Sequence, residues 1–363
     1  MVNQNNLTTI SIEYLYAGLV LQDDIYNYSG TLLLIPNGNT LTDNLIEQLK
    51  KFNNLEKNIK VSPRMYNTLL EYGAPQRARQ ADIEEKAGYT EAKNQTKDML
   101  KIVEITNTVP YQQVYDIGEL MQERLKITDP AVLFQCINGT NEVDEYLYRH
   151  SVDVSIINGL MGKWLDLNED DMGSLVILGL VHDVGKTLIP PEILNKPGKL
   201  TDEEFEVIKR HSLYSHEILL NNGSFNDKVC EAARHHHEKM NGSGYPDHLA
   251  AEDISLYSRI TSISDVYDAM VSKRVYKNAQ SPFAVLKQMK EEQFWGLDIR
   301  LVNMFTEYMP RELLGKQVLM SNGVSGIVKH INDKNIEYPV VEVDGVVVAT
   351  NKDLYCVSML IDS

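Results

Sequence analysis

Histidine and aspartate side chains are concentrated in the middle of this chain, at spacings that suit a metal centre. Seven of the nine histidines lie between His150 and His237. His182 is followed directly by Asp183, and His236 directly precedes His237. An imidazole binds one cation, whereas a carboxylate can bridge two. The pattern therefore predicts two divalent cations that share Asp183, an arrangement able to activate water against a phosphate ester.

Helical periodicity places each candidate ligand in a local environment that fits either a structural role or metal binding. His150 shares a helical stripe with apolar residues, and taken alone such a histidine is more often a packed core group than a ligand. Asp183 ends a helix that is apolar all round, where an ionised carboxylate is costly unless it is paired or bound to metal. Small residues surround Asp265 at helical spacing, which fits either room for ions or simple close packing. The candidate ligands are His150, His182, Asp183, His211, His236, His237 and Asp265.

Four neighbouring residues are predicted to lie outside the ligand set. Gly185 is predicted to cap the preceding apolar helix in a left-handed conformation. Phe205 is expected on the inner face of the helix that carries His211. His216 is predicted to be a surface residue, and His235 is expected to contact solvent or to lie just outside the ligand set.

Three basic residues are placed to contact a phosphate group. Lys186 lies one turn beyond the His-Asp pair and is expected to neutralise a phosphate oxygen or to assist the leaving group. Arg274 and Lys277 follow Asp265 by two to three turns and are expected to bind another phosphate. Individually each fits a solvated surface charge, but together they predict a phosphodiester site. Asp268, one turn beyond Asp265, is expected to support the ligands from outside.

Composition limits the classes of function. The formal net charge of −16 argues against broad binding to a nucleic-acid polymer, which needs a basic face. The three cysteines fit no disulfide or C-x-x-C framework, which favours a reducing cytoplasm. The N-terminus has no basic region followed by an apolar run, and the longest uncharged apolar stretch, 175–181, is too short to span a bilayer. We therefore expect a soluble cytoplasmic protein without membrane insertion.

The elements that must position these residues divide the chain into four segments. Residues 1–73 alternate short apolar runs with turn residues, which predicts a β-rich module. Residues 74–98 are polar and are predicted to be a linker, helical or irregular. Periodic apolar positions over 99–312 predict successive helices. Residues 313–363 carry β-branched runs between turns, so the predicted fold is mainly α, a helical bundle with small β-rich modules at both termini.

The order of the motifs resembles the HD-GYP family, the branch of the HD phosphohydrolases that hydrolyses cyclic di-GMP in bacteria. The resemblance covers residues 144–308. Its motifs are Tyr148-Arg149-His150-Ser151, the HDVGK stretch at 182–186, the run from Ile193 to Thr201, His211, HHE at 236–238, GYP at 244–246, Asp265-Val266-Tyr267-Asp268-Ala269, and Arg274 with Tyr276 and Lys277. So many ordered motifs make the resemblance specific, whereas one His-Asp pair would not.

The resemblance implies a binuclear site and a role for each motif. One ion would be bound by His150, His182, Asp183 and Asp265, and the other by Asp183, His211, His236 and His237. Lys186 would be the catalytic lysine beside the bridging Asp183. Tyr245 would lie beside the substrate, and Arg274 and Lys277 would bind its phosphates. Relatives use iron, manganese and other divalent ions, and imidazole-rich ligation is compatible with all of them.

The implied reaction is hydrolysis of cyclic di-GMP to linear pGpG, or on to GMP, by attack of a metal-bridging hydroxide. Some relatives hold a third metal through a glutamate one turn before the first histidine. Here that position is Tyr146, and Glu145 is rotated away from it. We therefore expect two metals and a reaction that stops at pGpG.

Other functions are compatible with the same motifs. A phosphodiesterase for cyclic GMP-AMP would keep the metals and change the substrate. A regulatory protein would bind the nucleotide, or a GGDEF-type cyclase, without turnover, since the GYP loop is implicated in such contacts in relatives. The N-terminal module fits a homodimerisation or docking module at least as well as a ligand sensor.

Overall fold

The chain divides into two compact units, which are described separately below. In the computed structural model, the described residues are 8–11, 19–21, 25–26, 33–35, 39, 41–42, 44–46, 58–63, 75–128, 133, 137, 146–272, 280–291, 296–332 and 335–359. One unit combines Met1–Ala81 with Leu314–Cys356, and the other combines Asp82–Leu313 with Val357–Ser363. The fold is mainly helical with small β-sheets, as predicted. The finer division into four segments stays a prediction.

Short strands are described in the N-terminal part of the first unit. They are β1 (Thr8–Ser11), β2 (Leu19–Leu21), β3 (Ile25–Tyr26), β4 (Leu33–Ile35) and β5 (Asn58–Pro63). β5 lies between β1 and β2 in an antiparallel sheet, with Thr8 opposite Val61 and Leu19 opposite Pro63. β3 pairs with β4. A helical segment is described at 44–46.

Five strands follow near the C-terminus: β6 (Gln317–Met320), β7 (Ser325–Asn332), β8 (Asn335–Val343), β9 (Val346–Ala349) and β10 (Cys356–Met359). They form one sheet in the order β10-β6-β7-β8-β9. Strands β6 to β9 form an antiparallel meander. The turn between β8 and β9 is Asp344-Gly345, and both residues have positive φ, 49° and 78°. That conformation matches strand twist in a two-residue hairpin.

The second unit is built from helices. They are α1 (Pro75–Thr106), α2 (Tyr111–Ile127), α3 (Tyr146–Trp164), α4 (Glu169–Val181), α5 (Pro191–Leu194), α6 (Asp202–Asn222), α7 (Asp227–His235), α8 (Leu256–Val271), α9 (Pro282–Glu291) and α10 (Ile299–Glu312). Helix α1 runs through the segment predicted as a polar linker and begins before the boundary between the units. No helix in the described part of the chain combines the length and apolar character that a bilayer crossing requires.

Helix α4 lies at the centre of the helical unit. Its apolar run from Leu175 to Val181 is almost entirely buried, and it packs against α2, α3, α7 and α8. The Asn168 side chain caps its first turn by accepting a hydrogen bond from the amide of Asp171. Gly179 allows close contact with α3, because a Cβ there would lie 2.3 Å from Cα of Ser155.

The ends of α4 and α6 are capped differently. Thr201 and Glu204 form a capping box at the start of α6, and Gly223 ends that helix with φ of 74°. Gly185, however, is no left-handed cap of α4. It lies in a 3-10 helix, Val184–Leu188, that continues directly from the end of α4. A Cβ on Gly185 would lie 2.1 Å from the carbonyl oxygen of His211, so close contact with α6 explains the glycine.

Candidate metal centre

Seven side chains from five helices or their C-terminal ends converge inside the helical unit. They form two groups, and within each group the possible ligand atoms lie within 4.8 Å of one another. One group contains Asp183, His211, His236 and His237, and the other contains His150, His182 and Asp265. The structure therefore brings together all seven candidate ligands.

Asp183 lies between the two groups, and its two oxygens face different histidines. Oδ2 lies 3.4 Å from Nε2 of His150 and 3.4 Å from Nε2 of His182. Oδ1 lies 3.2 Å from Nε2 of His211 and 3.8 Å from Nε2 of His236. A carboxylate in this position can bind one cation through each oxygen.

Asp265 and His237 complete the site on its more accessible side. Asp265 Oδ1 lies 3.2 Å from His150 Nε2, and Oδ2 lies 3.7 Å from His237 Nδ1. His237 Nε2 is 3.1 Å from His211 Nε2. The Asp265 and His237 side chains are 12% and 19% exposed, whereas those of His150 and His182 are fully buried. A substrate would therefore approach from the side of Asp265 and His237.

Backbone carbonyls orient three of the imidazoles. Nδ1 of His182, His211 and His236 donates in each case to the carbonyl oxygen three residues earlier, at 2.7–2.8 Å. Because a carbonyl oxygen only accepts, the proton is placed on Nδ1. Nε2 therefore presents its lone pair to the centre of the site, as a metal ligand must.

His150 is oriented by a carboxylate instead. Its Nδ1 donates to Oδ2 of Asp268 at 2.6 Å, and Oδ1 of Asp268 accepts from the Ser272 hydroxyl at 2.8 Å. Asp268 is fully buried. Burial raises the pKa of this carboxyl, but the hydrogen bond from His150 outweighs that effect and lowers it. An ionised partner of this kind increases the basicity of an imidazole ligand.

A buried network missed by the sequence analysis extends from Asp268 to helix α1. The Tyr89 hydroxyl donates to Oδ1 of Asp153 at 2.6 Å, and Arg149 Nε lies 3.4 Å from the other oxygen. Burial and the nearby charge of Asp268 raise the pKa of Asp153 well above its usual range. The only sequence signal was that Tyr89 is an isolated aromatic residue in a polar segment.

The charge state of the two candidate carboxylate ligands suits a cation site. Burial alone would raise the pKa of Asp183, but the charges of Lys186 and His182 outweigh it and hold that pKa well below its ordinary value. The pKa of Asp265 is lowered in the same way against burial, chiefly by its contact with His150. Both carboxylates are therefore ionised at neutral pH.

Burial and neighbouring charges shift the pKa of three of the histidines, in opposite directions. Burial lowers the pKa of His236 and of His237 well below the usual value, so both are neutral, which is the form that binds metal. At His150, burial also lowers the pKa, but its carboxylate neighbours, Asp183 first among them, raise it to about 10. Without a cation, a proton on His150 would offset part of the negative charge.

The buried polar atoms fit a metal ion. Within the part of the chain that the structure describes, Nε2 of His182, Nε2 of His236 and Oδ1 of Asp183 have no hydrogen-bond partner. A buried polar atom left in that state costs roughly 1–3 kcal/mol. Cations would satisfy these lone pairs together, and a set of imidazoles and carboxylates suits first-row divalent ions. The two clusters are thus able to hold metal.

The expected substrate contacts are only partly described. The Lys186 ammonium contacts Oδ2 of Asp183, and its side chain is 17% exposed. The Tyr245 ring lies 4.7 Å from the His237 ring at an interplanar angle of 32°. Outside the described residues are Arg274, Tyr276, Lys277 and Glu145, and of Tyr146 only the place at the start of α3 is described.

One expectation about the neighbouring residues is wrong, and another holds in part. Phe205 is 45% exposed rather than on the inner face, because it precedes His211 by six residues and is rotated from it by about 120° around α6. His216 is half-buried at the surface, and its Nε2 pairs with the exposed Glu231 of α7 at 3.1 Å. His235 lies outside the two ligand groups, as expected, and contacts Asp247 at 2.8 Å.

Comparison with known proteins identifies the segment that holds the site. A family model described as HD domain matches residues 137–298, which include all seven clustered side chains. The match covers slightly less than half of the chain. This finding confirms the resemblance to the HD phosphohydrolases that was predicted from the motifs.

Curated relatives of the HD domain are named as cyclic-dinucleotide phosphodiesterases. The chain is 35% identical over 202 residues to "Cyclic di-GMP phosphodiesterase PA4108" of Pseudomonas aeruginosa, covering 55% of this chain and 48% of that protein. It is 39% identical over 192 residues to "3'3'-cGAMP-specific phosphodiesterase 1" of Vibrio cholerae, covering 53% and 42%. The chain thus spans about half the length of these relatives or less.

A solved structure is similar in fold to this chain. It is Bd1817, described as a HDG"Y"P protein from Bdellovibrio bacteriovorus, with a TM-score of 0.52 and 14% sequence identity. The likeness covers 84% of this chain and 99% of that one. At this level of identity the comparison bears on the fold alone, and it agrees with the helical HD-type architecture.

Proposed function

We propose that this protein is a metal-dependent phosphodiesterase that hydrolyses cyclic di-GMP to linear pGpG. The observation that carries the proposal is the position of Asp183, whose two oxygens face two separate groups of histidines. Relatives named for the same activity support the choice of substrate.

We propose that two divalent cations, iron or manganese, occupy the site. The first would be held by His150, His182, Asp183 and Asp265, and the second by Asp183, His211, His236 and His237. When bound, such ions activate water and neutralise negative charge on phosphate oxygens.

Side chains of the protein supply the remaining chemistry. The Lys186 ammonium contacts Asp183 and could turn to the phosphate when that carboxylate serves as a metal ligand. There it would offset the charge that develops on the leaving oxygen. The Tyr245 ring packs beside the His237 ring at the edge of the site and would shield bound substrate there from bulk water. Arg274 and Lys277 are proposed to bind phosphate oxygens of the substrate.

A direct test compares the metal-loaded protein with Asp183→Ala. We expect the wild-type protein to convert cyclic di-GMP to pGpG, measured by chromatography, and the variant to lose both turnover and bound metal. His216→Ala is the matched control, because it removes an imidazole outside both ligand groups. Equal rates for the wild-type and Asp183→Ala proteins would reject the proposal.

A second candidate substrate is 3'3'-cGAMP. It is favoured by the Vibrio cholerae relative, which is 39% identical over 192 residues and is named for that nucleotide. Parallel assays with the two cyclic dinucleotides at equal concentration separate the candidates through kcat/KM. A regulatory protein that only binds the nucleotide, or a GGDEF-domain protein, would instead show tight binding and form no product with both cations present.

The final product depends on the number of ions. We propose two ions and a reaction that ends at pGpG, because Tyr146 takes the position of the glutamate that supplies a third ion in some relatives. Metal analysis per chain, together with identification of the product, tests both statements. Three ions per chain with GMP as the product would contradict them.

The setting of the activity is also a proposal. We propose a cytoplasmic homodimer whose GYP loop contacts GGDEF-domain proteins. The free, buried thiols of Cys230 and Cys356 are consistent with a reducing compartment. Light scattering of the purified protein and co-purification with a GGDEF-domain protein would test the two associations.

A further inference from the structure

Two aromatic rings and one ammonium group form a surface beside the metal centre, in which Phe205 is exposed and the other two residues are half-buried. Phe205, Tyr245 and Lys209 form it, and we call it the aromatic platform. The Phe205 and Tyr245 rings meet edge to face at 6.5 Å. Lys209 Nζ lies 5.0 Å from the centroid of the Phe205 ring and 5.7 Å from that of Tyr245. Phe205 is 45% exposed, so its ring is open to a ligand.

The inner edge of the platform is fixed to the metal ligands. Besides its contact with His237, the Tyr245 ring lies 6.4 Å from the His211 ring at 80°. The Tyr245 amide donates to the carbonyl oxygen of His237. The preceding Gly244 packs so closely that a Cβ would lie 2.4 Å from Cα of Glu238. The position of the ring is therefore set by the backbone that carries the ligands.

The outer edge of the platform belongs to a ligand-bearing helix. Phe205 and Lys209 are one turn apart on α6, and Phe205 precedes His211 by six residues. At 1.5 Å per residue, Phe205 and His211 are separated by about 9 Å along the helix axis. A nucleotide whose phosphate lies at the metal centre could therefore place its base on the platform.

The chemistry of the platform suits a purine. Every base can stack on an aromatic ring, and Phe205 offers an exposed one. Lysine donates hydrogen bonds to O6 and N7 of guanine, whereas adenine carries an amino group where guanine has O6. Lys209 also pairs with Glu206 at 2.6 Å, but Glu206 is 67% exposed, and exposed pairs of this kind contribute little. Lys209 can therefore turn from Glu206 to a base.

We propose that the aromatic platform binds one base of the substrate and prefers guanine. Phe205 stacks on the base, Lys209 donates to its O6 and N7, and Tyr245 joins this subsite to the metal centre. The inference rests on the proposed function and extends it, because it assigns the choice between cyclic dinucleotides in part to Phe205 and Lys209.

The test uses three small probes and manganese-loaded protein. GMP, AMP and ribose 5-phosphate all carry a phosphate for the metal centre, but only the first two carry a purine. We expect Phe205→Leu to weaken GMP binding about tenfold in calorimetry, which is the scale of one base stack. The same variant should bind ribose 5-phosphate and manganese as the wild type does. Phe205→Tyr keeps the ring and should restore GMP affinity.

The test of Lys209 measures the preference for GMP over AMP rather than the affinity for GMP alone. Lys209→Met should reduce the ratio of GMP to AMP affinity several-fold, with ribose 5-phosphate binding unchanged. Equal weakening of all three probes would show a merely structural role, and unchanged GMP binding in Phe205→Leu would place the base elsewhere. Either result overturns the proposal.

This experiment is separable from the test of the proposed function. Binding of GMP needs no turnover, so a wild-type protein that fails to hydrolyse cyclic di-GMP can still show the expected pattern across the three probes. Conversely, if the enzyme is active and Phe205→Leu leaves KM for cyclic di-GMP unchanged, the proposed function stands and the proposal for the aromatic platform is wrong.

Discussion

At the scale of single residues, the metal centre depends on which atom of each side chain faces inward. Carbonyl oxygens fix the proton on Nδ1 of His182, His211 and His236, and Asp268 fixes that of His150. The sequence spacing alone identified these histidines but not their orienting partners, because i−3 carbonyls precede every helical residue. Lys186 is the residue at this scale whose role can be separated from metal binding.

Replacing Lys186 tests whether its charge acts on the phosphate. We expect Lys186→Met to lower kcat for cyclic di-GMP about 100- to 1,000-fold, the scale of one lost electrostatic contact to a transition state. Bound manganese should stay at the wild-type amount, because the lysine is no metal ligand. Lys196→Met is the control, since Lys196 pairs with Glu204 outside the ligand groups. A loss of metal in Lys186→Met would instead indicate a structural role.

At the scale of helices, local signals were predictable and long-range contacts were not. The capping box at Thr201 and the cap at Gly223 act within one helix, so signals of this kind can be read from the sequence. The conformation of Gly185 depends on the backbone of α6, and that of Tyr89 on Asp153 of α3. Such contacts join residues far apart in the chain, and hydrophobic periodicity carries no information about them.

Tyr89→Phe tests whether α1 supports the metal centre. The change removes one hydroxyl and leaves Oδ1 of Asp153 buried without its donor, which should lower the free energy of unfolding by about 1–3 kcal/mol. Because Asp153 lies beside Asp268, which orients His150, manganese affinity should fall as well. Urea unfolding and metal titration measure the two effects. Tyr115→Phe on α2 is the exposed control, and equal behaviour of the two variants would contradict the prediction.

Asp298, at the start of α10, makes a pH-dependent contribution to the free energy of unfolding. Its side chain accepts from the Arg300 amide at 2.9 Å and from the Arg259 guanidinium at 2.9 Å. Burial raises the pKa of this carboxyl, but the hydrogen bonds from Arg300 and Arg259 outweigh it and lower the pKa below its usual range. The stabilisation is therefore present above the unfolded-state pKa of about 4 and is lost as pH falls through the lower folded-state value.

Asp298→Asn tests this linkage, because asparagine keeps the cap and removes the charge. We expect the variant to unfold more easily than the wild type at pH 7, with the difference shrinking as the pH falls from about 5 to 3. Urea unfolding across that range measures it. Asp298→Ala should cost about a further 1 kcal/mol at every pH, since it also removes the cap. A difference independent of pH between wild type and Asp298→Asn would rule out the charge effect.

At the scale of the whole molecule, the binary pattern of the sequence predicted the mainly helical architecture, because burial of apolar stripes depends on periodicity. The same pattern predicted two separate β-rich modules, one at each end of the chain. Packing instead places Met1–Ala81 and Leu314–Cys356 in one unit. The metal centre draws ligands from α3, α6 and α8 and from the ends of α4 and α7, so bound cations would join five helices. Stability of the helical unit should therefore depend on metal.

Chelation tests that dependence. We expect removal of manganese by a chelator to lower the melting temperature, and readdition to restore it, because a ligand at 100 times its Kd stabilises the folded state by about 2.7 kcal/mol. Asp183→Ala should melt at the same temperature with and without manganese. A wild-type melting temperature that is indifferent to metal would show that the clusters hold no cation.

Two glycines hold the helices around the metal centre at fixed distances from one another. At Gly179 the main chain of α4 touches that of α3, and at Gly185 the turn after α4 touches that of α6, with no side chain between them to yield. His150, His182, Asp183 and His211 all lie within a few residues of these two contacts. Direct contacts between backbones therefore fix the distances between the helices that carry these ligands. Side-chain rotamers at the two contacts cannot change those distances. Among the divalent ions that imidazole-rich ligation accepts, we therefore expect affinity to depend on ionic radius, because the helices that carry the ligands have little room to move apart or together.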